Sequence, residues 1–322
     1  MSTSVTPIKD CVSKFEDTMK SSRNNLTSGF KSYDAIAYGF PKGSFTVIAS
    51  RPSMGKSAFA DTIALNLALD EGKSVLYYSI EANETALLKR FVANVSGVKL
   101  SSLHAGCLNE EENKQINQAI EDLSNSSLQI EFTPEIEISQ LAESIISTMK
   151  KTAIDIVFID YLQLITAKGF NTPNREQEIG FVSRKLKAMA KQIDVPIVAL
   201  SQLNRSSELR GGSKRPWMSD LRESGSIEQE ADVVVFIHRP EYYGINQDEE
   251  GMPTTGIAEI IIGKNRHGEI GDFRLKFDKD TCKFSECEDG YYMESASDKI
   301  TCNFTAFEEE PFRGAQKEAH HE

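Results

Sequence analysis

Ser50-Arg51-Pro52-Ser53-Met54-Gly55-Lys56-Ser57 stands between an apolar run, Phe45 to Ser50, and a helical pattern near Lys56 to Leu69. A tight turn that joins a strand to a helix aims successive backbone N–H groups, and the positive end of the helix, at one point. That is an anion site suited to a chain of phosphates. In this arrangement Ser53, Met54, Gly55 and Ala58 shape the cradle, Lys56 reaches the β and γ oxygens of ATP, and the Ser57 hydroxyl ligates Mg2+. The first glycine of the G-x-x-x-x-G-K-[ST] pattern is replaced by Ser50, so the strand–loop–helix context carries the reading.

Outward from this loop, apolar runs alternate with helical patterns, as successive βα units do. Strands are read at Ser74 to Ile80, Ile154 to Ile159, Pro196 to Ser201, Asp232 to Ile237 and Ile257 to Gly263. Helices are read near Glu84 to Val95, Glu110 to Leu123, Ser139 to Lys151 and Arg175 to Ile193. The strand runs are apolar at nearly every position, which requires cover on both faces and predicts an α/β fold with a mostly parallel sheet flanked by helices. Strand ends of such a sheet converge at one edge, so residues just past them form a site with the loop. Asp160 closes an apolar strand and is positioned to hold Mg2+. Tyr161 follows it where many nucleotide hydrolases carry a second acid, so the group that polarises water must come from elsewhere. Glu81 is the candidate, against the plainer reading of a surface residue that opens the next helix. Gln202, at the end of another strand, is a candidate contact for the γ-phosphate.

The chain has 322 residues, with 36 Lys+Arg against 48 Asp+Glu and a net charge of -12. An acidic balance argues against a phosphate-bearing partner unless the charge is unevenly placed. It is: Ser285 to Glu322 hold ten acidic and three basic residues. This stretch is read as an acidic tail, either solvated or an interaction segment. Five scattered cysteines make no disulfide framework, and paired C-x-x-C zinc ligands are lacking. No run approaches the ~18 apolar residues of a membrane span, and no signal-peptide core precedes Thr18, so a cytoplasmic protein with no membrane association is expected. At the N-terminus, Thr6-Pro7 followed by Ile8, Val12, Phe15 and Met19 predicts a short amphipathic helix, and Ser21 to Asn25 a polar hinge. The resulting division is helix and hinge over residues 1–25, a main domain over 26–284, and the tail over 285–322.

Over Leu26 to Phe284 the order and spacing of these pieces resemble the RecA-like motor domain of DnaB-type replicative helicases. The resemblance rests on Arg51-Pro52-Ser53-Met54-Gly55-Lys56-Ser57, Ile159-Asp160-Tyr161-Leu162-Gln163-Leu164, Ala199-Leu200-Ser201-Gln202-Leu203-Asn204-Arg205, Ser219-Asp220-Leu221-Arg222-Glu223-Ser224-Gly225-Ser226-Ile227-Glu228-Gln229 and Gly263-Lys264-Asn265-Arg266-His267-Gly268. It implies a RecA-like P-loop NTPase fold. It gives Glu81 the role of water-polarising carboxylate, Arg90 a place near the nucleotide phosphates, and Lys264 and Arg266 that of the basic pair offered to a neighbour's ATP site. Without it, that pair reads as a solvated hairpin turn. A homo-hexameric ring with ATP and Mg2+ at its subunit interfaces follows, with Arg222, Glu223 and Gly225 contacting single-stranded DNA in the central channel.

The segment Arg205 to Arg215 carries Arg205, Arg210, Lys214 and Arg215 against one acid, Glu208, and reads as a basic loop. Contact of Arg210 and Lys214 with DNA and simple solvation explain it equally well. The helix Arg175 to Ile193 is expected to bury Ile179, Val182, Leu186 and Met189 and to leave Arg184, Lys185, Lys187 and Lys191 solvated or at an interface. The N-terminal helix resembles the family's linker helix. The collar domain that usually precedes it is missing from the sequence, so primase docking through a collar does not carry over. The implied activity is ATP-dependent unwinding of a forked duplex, 5′ to 3′ on the encircled strand, in a bacterial or mobile-element replisome. A helicase loader, a primase or a polymerase are the expected partners. A RecA/RadA-type recombinase and a KaiC-like regulatory ATPase are the alternatives.

Overall fold

A computed structural model of the chain describes residues 8, 9, 12, 25–167, 175–205, 208, 212–248 and 251–287, without the side chains of 222–226. Most of the predicted N-terminal helix and hinge, Arg210, and the tail beyond residue 287 lie outside the described residues. In chain order the elements are α1 (Lys31–Ala37), β1 (Phe45–Ser50), α2 (Lys56–Leu65), β2 (Val75–Ser79), α3 (Glu84–Ser96), α4 (Leu100–Ala105), α5 (Glu110–Asn125), β3 (Leu128–Phe132) and β4 (Ile136–Glu137). They continue with α6 (Ile138–Met149), β5 (Ile156–Asp160), β6 (Ile165–Thr166), α7 (Arg175–Ile193), β7 (Ile197–Gln202), α8 (Gly225–Glu230), β8 (Val233–His238), β9 (Ile257–Asn265), β10 (Gly271–Asp278) and β11 (Lys283–Glu286).

Nine strands make one sheet in the order β11-β10-β9-β8-β1-β7-β5-β2-β3. From β8 to β3 all neighbours are parallel, and β9, β10 and β11 extend the sheet antiparallel from β8. The mostly parallel sheet flanked by helices is therefore present. Strand β1 is buried throughout because its alternate side chains feed two cores. Ile48 packs on one face with Phe59, Tyr77, Phe158 and Val235. Phe45, Val47 and Ala49 pack on the other with Val157, Leu186, Ile197 and Val234. Burial on both faces is what the unbroken apolar strands require.

Local signals set the helix ends. Asn83 accepts from the Ala86 N–H at 2.9 Å at the start of α3, and Asn109 and Glu112 form a reciprocal capping box on α5. Gly97 ends α3 in the left-handed region at φ 73°. The helix after the phosphate loop is α-helical only to Leu65 and continues as a π-helical turn over Asn66–Asp70. Ser285 and Glu286, the first residues of the acidic tail, belong to β11, and Glu286 accepts from both the N–H and the hydroxyl of Ser32.

One expectation for α7 is corrected. Ile179, Val182, Leu186 and Met189 are buried as read, but so is Lys187. Its ammonium donates to the Gly43 carbonyl at 3.0 Å and pairs with the buried carboxylate of Asp232. That carboxylate also accepts from the Phe45 N–H at 2.8 Å. Lys187 thus ties the helix to the base of β1 instead of facing solvent.

Candidate phosphate and nucleic-acid site

At the end of β1 the loop takes left-handed backbone at Ser53 (φ 65°) and Gly55 (φ 93°) before α2 begins at Lys56. Gly55 is required for conformation and for space, since a Cβ there would lie 3.2 Å from Phe284 and 3.4 Å from Phe277. Those rings, from β11 and β10, form a floor beneath the loop. Met54 and Ala58 are buried, and Lys56 and Ser57 open the helix. The Lys56 ammonium lies 4.5 Å from the centroid of the Tyr161 ring. Burial pushes its pKa down, while the charges of Asp160 and Glu81 push it back up.

Neighbouring strand ends bring the remaining residues to the same edge. Ser79 is in register with Asp160, and Ser50 with Gln202. The Asp160 carbonyl accepts from the N–H groups of Ile80 and Glu81 at 2.9 and 3.3 Å, which joins Glu81 to the end of β5. Asp160 is 2% exposed, and its Oδ1 has no hydrogen-bond partner among the described residues. A buried carboxylate oxygen left open is suited to a cation. Arg90, on α3, donates from Nε to Asp61 of α2 at 2.7 Å, while the other oxygen of Asp61 accepts from the Tyr77 hydroxyl at 2.9 Å. Burial pushes the Asp61 pKa up and Arg90 opposes it.

Three residues that sequence reasoning leaves without a role are tied into this edge. Gln163 donates to the Ser201 hydroxyl at 3.0 Å and to the Gln202 carbonyl at 3.3 Å, and accepts from the Gln202 N–H at 3.2 Å. It fixes the backbone of Gln202 on both sides. Arg51 donates to the Leu203 carbonyl at 2.6 Å and to Glu208 at 2.9 Å. Arg239, just past β8, donates to the Ser53 carbonyl at 3.3 Å, and its guanidinium lies 4.5 Å from the centre of the Phe277 ring. The sequence signal for Arg51 and Gln163 is their place inside the quoted motifs. For Arg239 it is a cation two residues past the apolar run Val233 to Ile237.

Lys264 and Arg266 are elsewhere. Strand β8 runs parallel to β1, and β9 returns antiparallel with Lys264 opposite Val234 and Asn265 opposite Val233. The pair therefore lies at the sheet edge away from this chain's own phosphate loop. Lys264 donates to the Glu228 carbonyl and Arg266 to that of Gln229, and Arg266 also lies 3.6 Å from Asp232. Burial, with the neighbouring charge of Arg266, pushes the Lys264 pKa down.

Arg222 and Glu223 fall on a 3-10 segment, Met218–Ser224, and Gly225 opens α8; the side chains of Arg222 and Glu223 lie outside the described residues. The segment is anchored by Asp220, which accepts from the Trp217 N–H at 2.8 Å and, through its carbonyl, from the Asn204 N–H at 3.3 Å. In the basic loop Lys214 lies 5.1 Å from the centroid of the Tyr243 ring, and Arg215 pairs with Glu259 and Asp272.

The profile of the DnaB-like helicase C terminal domain matches residues 25–286. The replicative DNA helicase DnaB of Geobacillus stearothermophilus is 38% identical over 287 residues, covering 87% of this chain and 62% of that protein. The replicative DNA helicase DnaC of Bacillus subtilis (strain 168) matches with the same 38% identity and the same coverage, so the chain spans about three fifths of the length of these relatives. Among solved structures, an ATPase domain superposes with a TM-score of 0.81 at 34% identity, covering 88% of this chain and all of that one. A DnaB-like replicative helicase, solved with its interactions with primase, gives 0.77 at 34% identity, covering 88% and 68% of the two chains. The chain belongs to the DnaB-like helicase C-terminal domain family.

Proposed function

We propose that this chain is the motor of an ATP-dependent replicative DNA helicase that works as a homo-hexameric ring and moves 5′ to 3′ on single-stranded DNA to unwind a fork. The observation that carries the reading is the division of charge between the two sheet edges. Phosphate loop, Asp160, Glu81 and Gln202 gather at one, while Lys264 and Arg266 lie at the other, out of reach of the loop in the same chain. A head-to-tail arrangement of copies supplies the second edge of one subunit to the first edge of the next.

The open, buried oxygen of Asp160 and the Ser57 hydroxyl at the helix start fit a magnesium ion, which would offset the charge of the phosphates when bound. Lys56 and the N–H groups of residues 53–58 hold the phosphate chain. Glu81, at the exposed rim, orients a water and takes its proton. Gln202, held by Gln163, contacts the γ-phosphate. Lys264 and Arg266 of the neighbouring subunit face charge that develops on the transferred group, so hydrolysis depends on assembly. Arg222, Glu223 and Gly225, with Arg210 and Lys214, contact the strand backbone without reading bases. Residues 1–25 act as linker, 26–284 as motor and 285–322 as an acidic tail. A loader, primase or polymerase joins the ring in a cytoplasmic replisome.

A forked duplex with a 5′ single-stranded tail tests this. ATP-dependent unwinding, with a particle mass near six copies when a nucleotide analogue and single-stranded DNA are present, is the expected result. Strand exchange without unwinding would instead identify a recombinase.

A further inference from the structure

The segment that leaves Gln202 is gripped by the phosphate loop itself. Arg51 is 9% exposed, and its guanidinium forks across residues 203 and 208: Nη1 donates to the Leu203 carbonyl at 2.6 Å and Nη2 to the Glu208 carboxylate at 2.9 Å. Leu203 in turn donates its N–H to the Ser50 carbonyl at 3.0 Å. Next along the chain, the Asn204 N–H reaches the Asp220 carbonyl at 3.3 Å, within the segment that bears Arg222. Leu203, next to the strand end of Gln202, and Glu208, within the basic loop, are thus clasped by one side chain of the phosphate loop. Arg205 and Lys214 also lie within the field of Glu208, but the hydrogen-bonded contact is that of Arg51.

We propose that the Arg51–Glu208 pair is a positioning clasp that couples nucleotide binding to single-strand binding, by fixing the basic loop to the phosphate loop. The proposal rests on the helicase reading of this site. The planar fork matters, because an ammonium in place of the guanidinium offers a point charge with no fixed pair of donors to span carbonyl and carboxylate together. Filling the phosphate cradle moves Arg51, and that movement reaches Glu208 directly only while the clasp is closed. A ligand shifts such an equilibrium by its differential affinity for the two placements, and the coupling is reciprocal.

The test is the affinity of the full chain for a fluorescent oligo-dT, measured at fixed salt with and without a non-hydrolysable ATP analogue. In the wild-type chain the analogue is expected to tighten DNA binding by a factor within the ~5–150-fold range usual for coupled sites. Glu208→Ala is expected to bring this factor to within about twofold of unity, with affinity for the analogue alone unchanged. Glu208→Gln, whose amide oxygen still accepts from Arg51, should keep an intermediate factor. A wild-type factor in Glu208→Ala overturns the clasp. So does DNA binding that tightens equally with and without the analogue, which is the effect of removing a repelling charge. A factor of one in a wild-type chain that binds the oligonucleotide also overturns it. Absence of oligonucleotide binding by the wild-type chain in either condition would instead overturn the helicase reading, and this proposal with it.

Discussion

His238 closes β8 with 2% of its surface exposed and its ring stacked on Tyr243 at a centroid distance of 5.8 Å. Burial, reinforced by the charge of Arg215, pushes its pKa down to about 4, against the pull of a hydrogen bond to the backbone of Ser213. In the unfolded chain the imidazole titrates near ~6.5, so between that pH and about 4 the unfolded state binds a proton that the native state refuses. Stability from this site is complete above ~6.5 and falls through that window, by about 3 kcal/mol in total. Asp34 acts in the opposite sense: burial lifts its carboxyl to about 6, so the native state takes up a proton first and gains stability as pH falls below that value. The comparison that isolates His238 is therefore His238→Phe against wild type in urea unfolding at pH 7.5, 5.5 and 4.5. The variant, which keeps the stack but cannot titrate, is expected to lose less stability on acidification, and parallel losses would exclude His238 as the source. At this scale the sequence is informative about residue types and silent about long-range partners. Lys56, Ser57, Asp160 and Glu81 declare themselves by position after apolar strands, whereas nothing local pairs Arg51 with Glu208 or Gln163 with Gln202.

Strand and helix are joined at Asp232, where Lys187 from α7, the Phe45 N–H from β1, and Arg266 past β9 converge on one buried carboxylate. Removing one member of a buried ion pair leaves the other charge desolvated, so Asp232→Ala should cost about 3–5 kcal/mol. Lys187→Met combined with Asp232→Asn should recover most of that loss in denaturant unfolding, because neither buried charge remains. If the double variant is no more stable than Asp232→Ala, the defect lies in packing and not in the charge left behind. The same pair marks a limit of pattern reading. Helical spacing identifies the apolar face of α7, but it gives no warning that a lysine beside that face is drawn into the sheet base by an acid in a distant loop. Strands show a related limit. The runs at β1, β2, β5, β7 and β8 are legible because burial on both faces makes them almost continuously apolar, and β9 is legible from its isoleucines although one of its faces is only half-buried. Strand β3 is a sheet edge and mostly half-buried, and β10 alternates Phe273, Leu275 and Phe277 with polar residues, so neither forms an apolar run. Strand β10 and the short β11, also without an apolar run, matter to the site, since their Phe277 and Phe284 make the floor under Gly55.

Across the whole molecule, the net charge of -12 is compatible with a strand-threading ring because the charge need not be positive everywhere. Residues 285–322 contain ten acids, and the proposed function needs cations only at the channel loops and the subunit junction. The junction is the sharper constraint. A phosphate loop at one sheet edge and a basic pair at the other cannot meet within one chain, so every complete site would draw on two copies. Two variants distinguish this from a site completed in cis. Lys56→Ala destroys the phosphate grip of a subunit but leaves its basic pair intact, and Arg266→Ala does the reverse. Each alone should hydrolyse ATP at background rate in the presence of single-stranded DNA. In randomly mixed rings at equal ratio, about a quarter of junctions place an intact phosphate loop against an intact pair. Hydrolysis above that of either parent is therefore expected on mixing, rising and falling with the ratio of the two chains. A mixture as inactive as its parents at every ratio, under conditions where subunits exchange, would count against junctional sites and return Arg266 to the reading of a solvated turn.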